Sequence, residues 1–209
     1  MTEPSPLSSR RLTWRPAWLA TALLAASPYA AAVAVAEPAS WVIDPGNSSI
    51  GFAANHIGYK DVLGLFLEER GSFTFDEATL ELSDLVFEVE AASVFTDNPA
   101  RNEHLLSDDF LAAESHPLIR FVMTEALPAT ATTGTIKGDL TVRGVTRPAE
   151  VDVTLNRIAP YPWGSNYVMG VSAEAVVRRS AFGSTYALEG GLVADEIFLA
   201  FEIEAIRQD

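Results

Sequence analysis

The sequence predicts an all-β domain, most simply a closed or nearly closed antiparallel barrel. Apolar and polar residues alternate with a period of two over several long segments, which is typical of strands with one buried face. Turn-forming residues separate these segments, and one stretch, residues 98–116, departs from the alternation. Long antiparallel strands favour a barrel because closure removes exposed edges, although a two-sheet sandwich is the competing architecture.

The clearest strand pair is an antiparallel hairpin. Residues 138–143 and 150–156 both alternate, and residues 144–148 lie between them as the predicted turn.

A longer extended run covers residues 80–96. A straight strand of this length would span roughly 50 Å at about 3.3 Å per residue, so we expect it to bend or to contain a bulge. The other predicted strands are residues 50–56, 72–76, 167–179 and 196–206.

The exception to the alternation carries signals that begin helices. Asn98 and Pro99 form the first signal, and Ser107 followed by two aspartates forms the second. We therefore expect short helical turns near residues 98–116, crossing one end of the barrel.

The last predicted strand is apolar on both faces between Ile197 and Phe201. A strand with one solvated face should alternate, so we expect a packed interior on one side and a homodimer interface or a helix on the other.

Composition excludes several classes of partner and chemistry. The 209 residues carry 14 basic and 28 acidic side chains and no cysteine. This acidity argues against nucleic acid as a partner, since phosphate binding needs a basic surface, and against attachment to anionic lipid by charge. Without cysteine the chain has no disulfides, thiolate metal ligands or cysteine nucleophile.

Residues 1–36 have the pattern of a cleavable export signal. Arg10, Arg11 and Arg15 precede an alanine- and leucine-rich stretch, and a small-x-small pattern ends at Ala36. A membrane anchor is the alternative, although the apolar run is short for a span of about 20 residues. We expect residues 37–209 to form a single periplasmic or secreted domain, exported by the general or the twin-arginine route.

No catalytic or metal-binding motif stands out. The three histidines, His56, His104 and His116, show no metal-ligand spacing, and the chain has no G-x-S-x-G elbow or phosphate-binding loop. We therefore expect no metal and no cofactor, and assign no catalytic residue.

Two groups of residues are candidates for ligand binding. Several phenylalanines fall on inward faces of the predicted strands and could line an apolar cavity: Phe52, Phe66, Phe73, Phe75, Phe87 and Phe121. Four polar residues are candidates for the rim of that cavity: His56, Arg101, His104 and Arg179. Arg179 shares a face with apolar residues, so we expect it to need a carboxylate or a ligand as its partner.

The ordered set of blocks along the domain resembles the YceI-like family of exported, lipocalin-like proteins described as polyisoprenoid-binding. The resemblance runs from about Trp41 to Ala205. The blocks that carry it are residues 43–48, 56–58, 64–71, 93–96, 101–110, 117–121, 138–148, 179–183 and 195–205.

The resemblance implies an extended eight-stranded antiparallel barrel whose apolar cavity holds an isoprenoid or similar long-chain lipid. It also implies a periplasmic location and often a dimer. Two other functions stay open from the residues alone. One is an enzyme acting on a lipid or small ester with His56 or His104 as base, and the other is a structural barrel with a filled core.

Overall fold

A computed structural model describes residues 37–208, so the predicted export signal lies outside the described residues. Eleven strands and one α-helix make up its main elements. In chain order they are β1 (Ala39–Ile43), β2 (Ser49–His56), β3 (Lys60–Phe66), β4 (Glu69–Asp76), β5 (Glu81–Glu90), β6 (Val94–Phe95), α1 (Pro99–Leu106), β7 (Leu118–Pro128), β8 (Thr133–Val142), β9 (Val145–Pro160), β10 (Tyr167–Arg178) and β11 (Val193–Arg207).

The strands close into an antiparallel barrel, which confirms the predicted fold class. Each strand from β7 to β11 pairs with its neighbour in sequence, β5 pairs with β4 and β7, and β1 closes the ring between β4 and β11. Strand β2 pairs with β11 next to the segment of β11 that pairs with β1, so β1 and β2 share one position in the ring. In the same way β3, which pairs with β2, shares a position with β4, and β6, which pairs with β3, shares a position with β5. The barrel therefore has eight strand positions, three of which are occupied by two shorter strands each.

The predicted break in residues 80–96 is present. Strand β5 ends at Glu90, a 3₁₀ turn follows at Ala91–Ser93, and β6 resumes at Val94. The register between β4 and β5 also shifts between Ser72 and Thr74, which marks a bulge. Both irregularities let a long extended segment follow the curved wall.

The non-alternating stretch contains one helix, α1, followed by hydrogen-bonded turns. The Asn98 side chain accepts a hydrogen bond from the Arg101 N–H and Pro99 occupies the first turn, as the sequence predicts for a helix start. Ser107, however, ends this helix, and hydrogen-bonded turns follow it. The second signal forms a hydrogen-bonded turn, since the Ser107 hydroxyl accepts from the Asp109 N–H at 3.3 Å and the Ser107 carbonyl oxygen accepts from the Phe110 N–H at 3.1 Å, but this turn does not continue as a helix.

The predicted hairpin forms with a tighter turn than expected. Only Arg143 and Gly144 lie between β8 and β9, and both have positive φ angles, 53° and 72°. A two-residue turn of this kind matches the twist of the flanking strands. Residues 145–148 therefore belong to β9, where Pro148 lies opposite Asp139.

Candidate functional site

The barrel encloses a cavity of about 400 Å³ with an almost entirely apolar lining. All six phenylalanines singled out in the sequence contribute to this lining: Phe52, Phe66, Phe73, Phe75, Phe87 and Phe121. The interior of the described barrel is thus not filled by its own side chains. This volume falls within the range of small-molecule binding pockets.

Strand periodicity explains why the wall is apolar. On β10, alternate residues from Met169 to Val177 line the cavity, whereas the intervening Glu174 is exposed. Strand β11 contributes Ile197, Leu199 and its inward neighbours in the same way. Successive side chains of a strand point to opposite faces, so each strand supplies one apolar row.

Aromatic rings pack around the lumen in tilted and edge-on pairs. The Phe52 and Phe66 ring centroids lie 5.6 Å apart, and Phe87 meets Phe201 edge-on at 5.9 Å. The Phe52 ring also covers Gly64, where an added Cβ would come within 2.2 Å of the ring. Gly64 therefore creates the space that this ring occupies.

One end of the cavity is covered by connecting segments. Leu105 from α1, Phe110 and Leu111 from the following turns, and Phe182 from the β10–β11 connection all line this end. Arg143 holds the cover in place, because its Nη1 donates to the carbonyl oxygens of Asp108 and Phe110, each at 2.7 Å. We call this the closed end, since each of these four lining residues is at least half-buried.

Arg179 lies at the closed end and lines the cavity, with only 8% of its surface exposed. Its Nε donates to the Ala194 carbonyl oxygen at 2.9 Å, Nη1 to that of Ser184 at 3.1 Å, and Nη2 to that of Val193 at 3.0 Å. The hydrogen-bond partners of this buried guanidinium are therefore backbone carbonyls and not a carboxylate, and a contact between Arg179 and a ligand stays a prediction. Burial lowers the pKa of the Arg179 guanidinium, while the negative charge of Asp195 opposes this effect.

Asp195 is held by Ser180, which follows Arg179 in the chain. The Ser180 N–H donates to Oδ1 at 2.9 Å and its hydroxyl donates to Oδ2 at 2.8 Å. Burial alone would raise the pKa of Asp195, but these hydrogen bonds and the charges of Arg179 and Arg178 bring the pKa below its ordinary value. This carboxylate therefore stays ionised and fixes the start of β11.

The opposite end of the cavity is open to solvent. The lining residues that are exposed all belong to one segment around the β7–β8 turn: Leu127, Pro128, Thr130, Ala131, Thr132 and Thr133. The Thr130 and Thr133 hydroxyls lie 2.8 Å apart and form a polar edge there. We call this the open end. No sequence pattern indicates this end, because alternation does not show where a lumen meets solvent.

Three of the four predicted rim residues lie away from the cavity lining. His56 is exposed at the last position of β2, opposite Lys60 of β3. Arg101 donates from Nε and Nη2 to the hydroxyl and carbonyl oxygens of Thr96, so it fixes the start of α1 to β6. The structure brings neither residue to the lumen, and a contact with a ligand head group stays a prediction for both.

His104 belongs to an aromatic cluster on the outer side of the closed end. Its Nε2 lies 2.9 Å from Asp109 Oδ2, and its ring meets Phe110 and Tyr186 edge-on, each at 5.0 Å between centroids. Only Phe110 of this cluster reaches the cavity lining. A contact between His104 and a ligand stays a prediction, and the geometry gives the histidine a packing role.

Glu69 is a buried carboxyl group that sequence reasoning missed. It lies on the inward side of β4, opposite Val89 of β5, and its Oε1 has no hydrogen-bond partner. Burial raises the pKa of Glu69, because the surroundings disfavour the charged form. The sequence pattern that could have revealed this residue is its two-residue spacing from Gly71, Phe73 and Phe75, which places its carboxyl group on the inward face.

The described part of the chain shows no metal centre and no spanning helix. Within residues 37–208, no group of three or more histidine, aspartate or glutamate residues is arranged to hold a metal ion. None of the helices in this part of the chain is long and apolar enough to cross a membrane.

The curated relatives extend over most of the chain. A UPF0312 protein of Pseudomonas savastanoi pv. phaseolicola is 34% identical over 167 residues, which cover 79% of this chain and 83% of that protein. A UPF0312 protein of Pectobacterium carotovorum is also 34% identical, over 76% of this chain and 81% of that protein.

Solved structures resemble the barrel as a whole. The YCEI protein of Campylobacter jejuni aligns with a TM-score of 0.67 and 27% identity, covering 74% of this chain and 90% of its own. BcnA of Burkholderia cenocepacia has a TM-score of 0.69 and 20% identity, covering 78% and 98%. A domain of Saccharophagus degradans described as polyisoprenoid-binding has a TM-score of 0.62 and 11% identity, covering 81% and 99%. The last two show likeness of fold alone.

A family model matches residues 41–205, which is nearly the whole range of the barrel strands. The match covers well over half of the chain and agrees with the closed eight-position barrel described above. The chain belongs to the family of proteins with a YceI-like domain.

Proposed function

We propose that this protein binds a long-chain lipid inside the barrel. The observation that carries the proposal is the cavity of about 400 Å³ inside the barrel, whose lining is almost entirely apolar. Transfer of an apolar chain from water into such a lining is favourable by about 0.8 kcal/mol per buried CH₂ group. A long-chain ligand gains this transfer free energy for each CH₂ group that it buries along the wall.

The two ends of the cavity suggest an orientation for the ligand. At the closed end, the Arg179 guanidinium already donates to three carbonyl oxygens, and Phe110 and Phe182 supply apolar surface. At the open end, threonine hydroxyls line the exposed edge. The apolar tail therefore lies toward Phe110 and Phe182, and the polar end of the ligand lies near Thr130 and Thr133.

An isoprenoid is the ligand class that we propose. Support comes from membership of the YceI-like family and from the fold shared with the Saccharophagus domain described as polyisoprenoid-binding. The aromatic wall also suits branched, unsaturated chains, because rings and methyl groups pack closely without requiring polar partners.

We further propose that the protein is exported and that its signal is removed after Ala36. The support is the arrangement of Arg10, Arg11 and Arg15 before an apolar stretch, followed by small residues at the cleavage position. Sequencing the amino terminus of the protein recovered from the periplasm tests this. We expect Glu37 as the first residue, and an intact Met1 would contradict the proposal.

The binding function is tested by native mass spectrometry of protein purified gently from an exporting host, followed by organic extraction. We expect a stoichiometric adduct that extracts as an isoprenoid quinone, prenyl phosphate or related chain. A fatty acyl adduct would retain lipid binding and overturn the isoprenoid assignment. A bare protein that stays bare after incubation with both lipid classes would overturn lipid binding itself.

A homodimer is proposed on a separate observation. Phe198 on the outer face of β11 is 59% exposed and lies beside Val176 of β10 and Ala53 of β2, and Leu63 of β3 continues the same row. Two copies of an aliphatic and aromatic row across four strands can bury each other when they pack about a two-fold axis. Sedimentation should give a dimer that Phe198→Glu converts to a monomer, whereas a monomeric wild-type protein would contradict the proposal.

A further inference from the structure

The open end of the barrel differs from the rest of this acidic protein in having two charge-free hairpins. Residues 126–136, around the β7–β8 turn, contain no charged side chain, and Glu125 and Lys137 border them. Residues 158–173, around the β9–β10 turn, also contain none, and Arg157 and Glu174 border them. Both hairpins turn at the same end, because β7 and β9 run in the same direction in this antiparallel sheet.

The longer hairpin ends in an exposed tryptophan. Strand β9 makes its last ladder pair with β8 at Thr154 and then continues for six residues to Pro160. The connection to β10 contains Trp163, which is 78% exposed. Its ring packs edge-on against Tyr161 at 5.8 Å, and the Tyr161 N–H donates to the Asn166 carbonyl oxygen at 2.8 Å. The indole is therefore held by an ordered turn and faces outward.

The other connections of the barrel carry charge, including the β4–β5 turn at the open end, whose Glu77 accepts a hydrogen bond from the Tyr167 hydroxyl, so the absence of charge is specific to these two hairpins. The connections at the closed end include the following ionisable residues: Asp97, Arg101, Glu103, Asp108, Asp109, Glu114, Arg143 and Glu189. An uncharged hairpin tip carrying tryptophan and tyrosine beside a lumen is the composition of a membrane–water interface, where rings lie among the headgroups.

We propose that the tip of the β9–β10 hairpin, residues 160–166, docks on a lipid surface. Docking through this tip brings the open end of the cavity against the bilayer, where a long-chain ligand can enter without crossing water. Because the chain carries 28 acidic and 14 basic side chains, the surface that fits is electrically neutral. The inference extends the proposed lipid binding to the source of the ligand, but the docking itself requires no ligand in the cavity.

Flotation with phosphatidylcholine vesicles tests the proposal. We expect the wild-type protein to float with the vesicles and Trp163→Ala to lose at least tenfold in partition. Tyr59→Ala is the matched control, since Tyr59 is an aromatic residue 87% exposed between β2 and β3 at the other end. This variant should float like wild type. Equal flotation of Trp163→Ala and wild type, or no flotation of wild type, would overturn the proposal.

Fluorescence gives a second readout that locates the contact. The chain has four tryptophans, so subtracting the Trp163→Phe spectrum from the wild-type spectrum isolates Trp163. We expect this difference emission to shift to shorter wavelength when phosphatidylcholine vesicles are added. An unchanged difference spectrum in a protein that floats would mean that another surface makes the contact, and would overturn the assignment to this tip.

The failure of docking and the failure of lipid binding can be told apart. The Trp163→Ala protein is also examined by native mass spectrometry, as is a wild-type sample from which lipid has been extracted. A wild-type protein that carries lipid but does not float overturns only the docking. A protein that floats with an empty cavity, and takes up no lipid from the panel, overturns only the binding.

Discussion

The Arg179 guanidinium donates from Nη2 to the Val193 carbonyl oxygen at 3.0 Å, which ties the end of β10 to the first residue of β11. Two further hydrogen bonds reach the carbonyl oxygens of Ser184 and Ala194. One buried cation therefore satisfies one backbone acceptor in the connection between β10 and β11 and two more at the start of β11. Carbonyl groups left without donors in a buried position are costly.

We expect Arg179→Met to lower the free energy of unfolding by about 3 kcal/mol, because it leaves buried carbonyl oxygens without donors. Urea denaturation measures this change. Arg178→Met is the control, since Arg178 is exposed and pairs only with Glu196 on the surface. That variant should change stability by less than about 1 kcal/mol. Equal effects of the two substitutions would contradict the anchoring role of Arg179.

Asp195→Asn should reduce stability in a pH-dependent manner. The pKa of Asp195 in the folded protein is below its ordinary value, so the carboxylate stabilises the fold above the unfolded pKa of about 3.9. This contribution is lost as the pH falls through the lower, folded pKa. The stability difference between wild type and variant should therefore be largest at neutral pH and shrink in acid. Urea titrations from pH 7 down to pH 3 measure it, and a constant difference would argue against a charge effect.

Glu69→Gln should have the opposite pH dependence. Burial raises the pKa of Glu69, so the folded state is favoured while this group is protonated, and that advantage is lost as the pH rises through the folded pKa. The variant should therefore be more stable than wild type at pH 8, with the difference vanishing toward pH 4. Glu68→Gln, at the exposed neighbouring position, should show no such trend. A variant less stable than wild type at pH 8 would mean that other groups stabilise the ionised Glu69 carboxylate, and it would contradict the prediction.

Filling the lumen should abolish lipid retention without unfolding the barrel. Ala173 is buried and lines the cavity opposite Phe201 of β11, so Ala173→Phe places a second ring inside. The native mass spectrum of this variant should lack the lipid adduct while its thermal unfolding stays cooperative. Thr154→Phe places the same ring on the outer face of β9 and should keep the adduct. Retention of lipid by a folded Ala173→Phe protein would contradict the assignment of the cavity.

The strands and their inward faces were predictable because they depend on local alternation, whereas the expectation of a closed barrel with a cavity came from strand length and the family resemblance. The inward phenylalanines, the break after Glu90 and the cap at Asn98 each follow from residues adjacent in sequence. Period two indicates which face of a strand is inside, whatever its partner strand is.

The polar part of the site was less predictable because it depends on distances along a strand and on partners elsewhere in the chain. His56 continues the alternation of the inward residues of β2. It is the last residue of the strand and lies beyond the residues that line the cavity, so its ring is exposed. The partners of Arg179 come from residues 184, 193 and 194, and no spacing rule connects a guanidinium with carbonyl groups in a later segment.

The cover of the closed end determines how far a bound chain can extend. Phe110 and Phe182 terminate the lumen, and both belong to connections between strands instead of the barrel wall. The cover thus sets the length of the lumen, and its residues can change without any change in the eight barrel strands. Smaller residues at these two sites would admit a longer chain and larger ones a shorter chain, so selectivity for chain length can evolve while the barrel itself stays the same.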